Sequence, residues 1–206
     1  MLCWLGRLCL CAGLLLATMA GAEEKVAHRL LSGEATAINP RYLLVGPGGQ
    51  AVTNEDFRGR FQLISFGYTF CPDICPTTLS EMAEVLRRLG ETAGQVQALF
   101  ISVDPERDTR QVLQTYTAFF DPRIIGLTGS PALVSRAAQN FKVRYAKVVQ
   151  PGGDPRHYAV DHAAGMFLLG PDGQFLKKFA YGTDVQTLTE AIAGILRQGP
   201  GDTGKP

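Results

Sequence analysis

The chain has 206 residues, with 20 basic against 19 acidic side chains and five cysteines. This near-neutral balance argues against nucleic acid as a partner and against a strong basic membrane patch. The two cysteines that lie beyond residue 22 are too few for a disulfide-stapled scaffold, and the chain is long enough to bury a core of its own.

Residues 1–22 read as a secretory signal. Arg7 supplies the charged start, Leu8 to Met19 an apolar run of twelve, and Ala20-Gly21-Ala22 a small-x-small cleavage site. The run is short for a membrane span, which needs about 20 apolar residues. Export is therefore expected, with the bacterial periplasm as the compartment; an uncleaved segment tethering the protein to the membrane is the alternative. Cleavage removes Cys3, Cys9, Cys11 and Arg7, leaving two cysteines and 19 charges of each sign. Residues 23–40 lack periodicity and read as a flexible leader, and residues 198–206, rich in Gly and Pro, as a disordered tail. One domain over residues 41–197 is expected between them.

Within it, strand and helix signals alternate. Tyr42 to Val45 and Ala51 to Thr53 flank Gly46-Pro47-Gly48-Gly49, a hairpin pattern. Phe61 to Phe66 and Val96 to Val103 read as buried strands. Thr77 to Leu89 places Leu79, Met82, Ala83, Leu86 and Leu89 on one helical face. A helix over Asp108 to Phe120 with Asp108 as its cap, a short strand over Ile124 to Leu127 and a helix over Ser130 to Phe141 with Pro131 in its first turn come next. Val143 to Val149 with His157 to Val160, and Met166 to Leu169 with Gln174 to Ala180, form two further hairpins, and Asp184 to Arg197 a final helix. The pattern implies an α/β fold, a mixed central sheet with helices on both faces and added hairpins.

Cys71 and Cys75 sit in Tyr68-Thr69-Phe70-Cys71-Pro72-Asp73-Ile74-Cys75-Pro76, between the Phe61 strand and the following helix. Ligands of such sheets bind beyond the C-terminal strand ends. Sulfurs four residues apart at a helix entrance either close a disulfide or hold one metal ion, and the helix N-terminus is expected to favour thiolates. Two thiolates with one imidazole suit copper better than structural zinc, which takes four ligands. Of three histidines, His28 lies in the leader and His157 beside a Pro/Gly-rich turn. His162 is the stronger candidate, because Ala163-Ala164-Gly165 lets the chain approach closely and Asp161 stands ready to orient the ring. Asp104, Glu106 and Asp108 alternate like an acidic metal loop, but Pro105 and Arg107 interrupt it. Met166 opens an apolar strand and reads as core.

Four stretches together resemble the Sco/SenC family: Phe66 to Pro76, Ser102-Val103-Asp104-Pro105-Glu106-Arg107-Asp108-Thr109, Tyr158-Ala159-Val160-Asp161-His162, and Leu169-Gly170-Pro171-Asp172-Gly173. The resemblance implies a thioredoxin-like fold and one copper ion, Cu(I) or Cu(II), on Cys71, Cys75 and His162. It implies a metallochaperone that helps assemble the dinuclear copper site of cytochrome c oxidase. The expected partners are oxidase subunit II or a related copper recipient, and other copper chaperones or thiol reductants. The competing reading is an enzyme, a thiol-disulfide oxidoreductase cycling a reversible Cys71–Cys75 disulfide. Against it stand the three-residue spacing, the absence of a proline at Ala163-Ala164-Gly165, and His162, which disulfide exchange does not need. A peroxiredoxin-type peroxidase fits less well, since its Thr-x-x-Cys pattern is here Thr69-Phe70-Cys71.

Overall fold

A computed structural model describes residues 38–154 and 157–198. Strands β1 (Leu43–Val45) and β2 (Ala51–Thr53) form the first hairpin. There follow β3 (Phe61–Gly67), α1 (Ile74–Arg88), β4 (Val96–Ser102), α2 (Arg110–Phe120), β5 (Ile124–Leu127) and α3 (Pro131–Asn140). The chain ends with β6 (Tyr145–Val149), β7 (Tyr158–His162), β8 (Met166–Leu169), β9 (Phe175–Phe179) and α4 (Val185–Gln198). Two short 3-10 turns, Asn54–Phe57 and Gly90–Gln95, carry no period-2 or period-3.6 pattern and had no sequence signal.

The central sheet has the order β5-β4-β3-β8-β9. β3, β4 and β5 run parallel, while β8 is antiparallel to β3 and β9 antiparallel to β8. This is the thioredoxin-like mixed sheet that was expected. Every residue of β3 and β4 is buried, including the polar Gln62, Ser65, Gln97 and Ser102, as mainly apolar runs predict for strands covered on both faces. Neighbouring positions point to opposite sides. Phe66 packs against Phe141 and Phe167, with ring centroids 5.2 and 6.0 Å away, beside the end of α3. Phe100, paired in register with Ser65, turns the other way to Tyr116 of α2 at 6.1 Å.

Local chemistry sets the boundaries. Helix α1 begins at Ile74, earlier than Thr77, because Pro76 falls in the first turn, where no N–H is needed. Helix α2 begins at Arg110 and its cap is Thr109, whose hydroxyl accepts from the Val112 N–H at 3.3 Å; Asp108 is not the cap. Ser130, expected as the first residue of α3, is its cap, accepting from the Leu133 N–H, and Pro131 stands in the first turn as expected. That helix ends in a Schellman turn: Val143 N–H donates to Ala138 O (2.8 Å) and Lys142 N–H to Gln139 O (3.1 Å), with Lys142 at φ 57°. The turn consumes Val143, so β6 starts at Tyr145 and not at Val143.

The signal, most of the leader and the tail beyond residue 198 lie outside the described residues. Residues 38–40 overlap the expected leader; there Asn39 N–H donates to Asn140 O at 3.0 Å. No helix among the described residues is long and apolar enough to cross a membrane.

β3 and β4 end side by side, Gly67 opposite Ser102. The loops leaving these two ends, 68–73 and 103–109, build the floor of the candidate site. The β6–β7 hairpin forms its own two-stranded sheet, outside the hydrogen bonding of the central one.

Candidate metal centre

Helix α1 buries Cys75, Thr78, Leu79, Met82, Val85 and Leu86, a single stripe at helical spacing. Cys75 is thus carried into the core by the same periodicity that packs the helix. Cys71 precedes the helix in the loop, its N–H donating to Tyr68 O at 3.3 Å, and is half-buried. The expectation that it stands at the helix entrance is corrected by about one turn, since the helix starts at Ile74. Both thiols are free.

Gly67 is where the sheet makes room for this sulfur. A Cβ there would stand 2.5 Å from Cys75 Sγ and 2.8 Å from the Phe100 ring. Gly67→Ala is therefore expected to destabilise the fold by about 1–3 kcal/mol through overpacking and to displace Cys75. Thermal unfolding and the alkylation rate of Cys75 check it; a wild-type melting temperature would contradict this packing.

His162 closes the site from β7. Its Nε2 lies 3.4 Å from Cys75 Sγ, and its ring meets the Tyr68 ring edge-on at 5.8 Å. Nδ1 faces the Ala163 carbonyl at 3.4 Å. A proton on Nδ1 donating there leaves the Nε2 lone pair facing the thiols. This corrects the role given to Asp161, whose exposed carboxylate acts on the imidazole only through its charge. Gly165, at φ 123°, has Phe179 O where a Cβ would go, so the close approach in this stretch is to the β9 backbone and not to the thiols. His157 stays in the turn, its N–H donating to Asp154 O, outside the group. His28 lies outside the described residues.

The ligand atoms of Cys71, Cys75 and His162 all lie within 4.8 Å of one another, and among the described residues they form the one such cluster of His, Cys, Asp or Glu. Metal bonds of about 2.3 Å to sulfur and 2.0 Å to nitrogen, at a tetrahedral angle, set S and N about 3.5 Å apart. The observed 3.4 Å fits one shared ion. Electrostatics follow burial. Desolvation pushes the Cys75 thiol well up, although the Tyr68 backbone hydrogen bond pulls it down. The expected lowering by the helix terminus is overturned for Cys75. Burial also lowers His162 below its ordinary 6.5, against opposing effects of Ala163 and Asp161, so the ring is neutral and available to a metal.

The carboxylates of the acidic loop are engaged by protein partners. Asp108 is buried, accepting from Ser102 Oγ (2.6 Å), Thr69 Oγ1 (2.6 Å) and Thr69 N (3.2 Å). Burial raises its pKa; those hydrogen bonds oppose the rise. Asp104 is buried against Arg107 and accepts from Tyr158 Oη at 2.8 Å, while Glu106 pairs with Lys147 at 2.6 Å. Met166 is buried in the core. No local pattern signals the Thr69–Asp108 or Asp104–Tyr158 pairs, whose members are 39 and 54 residues apart.

Comparison with known proteins matches residues 32–197 to the SCO1/SenC family. Protein SCO1 homolog 1, mitochondrial, of Arabidopsis thaliana is 38% identical over 168 residues, 81% of this chain; the chain spans 49% of that relative, about half its length. The crystal structure of Arabidopsis thaliana ScoI with copper bound is 38% identical, with a TM-score of 0.72, covering 79% of this chain and 99% of that one. BsSco, described as a member of the Sco family of cytochrome c oxidase assembly proteins with a disulfide switch, is 26% identical at a TM-score of 0.59, covering 77% and 93%.

Proposed function

This chain belongs to the SCO1/SenC family, and from that premise we propose that it binds one copper ion, Cu(I) or Cu(II), on Cys71 Sγ, Cys75 Sγ and His162 Nε2. It acts as a metallochaperone in cytochrome c oxidase assembly, passing copper to subunit II or a related recipient. The supporting observation is the convergence of two thiols and one neutral imidazole within 4.8 Å. Thiolate sulfurs and imidazole nitrogen are the ligands copper prefers, and three of them leave a coordination position for an incoming ligand. Half-buried Cys71 and His162 make the rim of the site accessible, whereas Cys75 anchors it in the core. Such a donor set suits cargo that must be held and then released.

The thiol-disulfide reading draws on the same two free cysteines. Closing a Cys71–Cys75 disulfide releases two electrons and two protons to an oxidant and removes both thiolates from copper. Oxidation is thus expected to block loading reversibly, and the disulfide belongs to the proposal as its off-state. Thiol reductants and other copper chaperones are the partners that would reset and load the site. Export to the periplasm remains the expectation drawn from residues 1–22.

The test is copper loading of the reduced protein. One ion per chain is expected for the wild type and for His157→Ala, and a large loss of Cu(II) affinity for His162→Ala. Equal affinity in the two histidine variants would remove His162 from the site. Oxidised protein should resist alkylation and take up no copper at the thiols.

A further inference from the structure

The two halves of the cluster come from parts of the fold that share no sheet. The thiols lie on the loop and helix that follow β3, and the imidazole on the separate β6–β7 hairpin. β6 is exposed over most of its length, so core burial does little to place that hairpin. One loop, residues 103–109, touches both halves. Toward the thiols, Asp108 accepts from the backbone and hydroxyl of Thr69, two residues before Cys71. Toward the hairpin, Arg107 Nη1 donates to Tyr158 O at 2.9 Å, and its guanidinium lies 3.8 Å over the Tyr158 ring. The same guanidinium pairs through Nε with buried Asp104, which accepts from Tyr158 Oη at 2.8 Å. It also sits 4.8 Å from the Phe70 ring and 5.6 Å from the Tyr68 ring, on the cysteine loop.

We propose that Arg107 is a positioning residue of the copper site, the hub of an Asp104–Arg107–Tyr158 clamp that sets the distance from His162 to the two cysteines. The inference rests on the three-ligand reading above and adds the device that fixes its third ligand. The geometry asks for arginine. A planar guanidinium directs N–H groups to a carboxylate and a carbonyl while stacking on an aromatic face; lysine offers a point charge without the plane. Tyr158 opens the five-residue strand that His162 closes, and positions four apart share a strand face, so holding its carbonyl, ring and hydroxyl anchors the start of the strand whose far end presents the imidazole. Lys147 reinforces the hairpin from β6, reaching Glu106 at 2.6 Å and the Tyr158 ring at 4.6 Å. Outer groups that orient a metal ligand commonly govern affinity by about 10- to 100-fold.

The experiment is a double-mutant cycle on Cu(II) affinity and on the nitrogen hyperfine signature of the bound copper. The proteins are wild type, Arg107→Lys, His162→Ala and the double variant. Arg107→Lys keeps a charge opposite Asp104, and is expected to lose about 10- to 100-fold in affinity and to weaken the nitrogen signature. In the His162→Ala background the same change should matter by no more than about twofold. Tyr158→Phe, which keeps the ring and removes only the hydroxyl, should lower affinity in the same direction even where Arg107→Lys fails to fold. In the metal-free protein, the His162 ring resonances should shift and broaden in both variants while Tyr158→Phe still unfolds in one cooperative transition. An equal loss in both histidine backgrounds, or wild-type affinity in Arg107→Lys and Tyr158→Phe, overturns the clamp. A His162→Ala variant with undiminished affinity overturns the three-ligand reading itself, a separate and recognisable result.

Discussion

Cys75→Ser is expected to lose thiolate-bound copper while remaining folded. The substitution keeps the size and shape of a side chain that is almost fully buried in the core at the C-terminal end of β3. It exchanges a soft, polarisable sulfur for a hard oxygen that stays protonated at neutral pH. The Tyr68 N–H that points at the sulfur can donate to the serine hydroxyl, so the buried oxygen is not left without a partner. The loss should exceed the 10- to 100-fold typical of an outer-shell change, since a direct ligand is removed. Cys71→Ser should lose copper similarly and disturb the fold less, because Cys71 is only partly buried. Copper retained after passage over a chelating resin, together with the sulfur-to-copper absorption band, measures the effect. Wild-type stoichiometry with an intact band in either variant would sink the thiolate site.

The elements that place this site were legible where one local rule governed them. The mainly apolar run from Phe61 to Phe66 is short and followed by Gly67, which fits a strand covered on both faces. The α1 stripe, read from Leu79, Met82 and Leu86, extends back to Cys75 once the helix is seen to start at Ile74. His162 was preferred over His157 on Ala163-Ala164-Gly165, and it is His162 that lies 3.4 Å from Cys75 Sγ, although the close approach at Gly165 is to Phe179 of β9. What was hidden depends on contacts distant in sequence. Asp108 looked like a cap, since a carboxylate before a helical pattern usually is one. Its partners Thr69 and Ser102 lie on other segments, and Thr109 supplies the cap instead. Arg107 looked like an interruption of an acidic loop, yet it gathers Asp104, Tyr158 and Phe70 around one guanidinium. The Cys75 thiol was misjudged for the same reason: a helix terminus is a local feature, and the burial that outweighs it is made by the whole fold.

The burial of the Cys75 thiol determines how the site should answer to pH. Burial keeps the Cys75 proton in place across the neutral range, so copper must displace it. Each proton displaced lowers the apparent affinity about tenfold for every pH unit of acidification. Cys75 alone therefore gives a continuous fall from mildly alkaline to mildly acidic pH. His162 behaves differently. Its pKa lies below the ordinary 6.5, so it remains neutral through pH 7 and adds its own proton competition only in the acidic range. His162→Ala should leave the neutral-range slope intact and remove the extra acidic steepening. The metal-free fold carries the matching signs. A histidine depressed by folding contributes stability above pH 6.5 that is lost as pH falls through its folded pKa. A thiol raised by folding contributes stability that is whole below its ordinary 9.0 and is lost as pH rises beyond it. Metal-free stability should thus decline on both flanks, while copper affinity declines only toward acid. Competition titrations against a chelator, corrected for the chelator's own protonation, measure the slope, and alkylated protein serves as the control. An affinity that stays level from neutral to mildly acidic pH and survives alkylation would rule out ligation by these thiols and this imidazole.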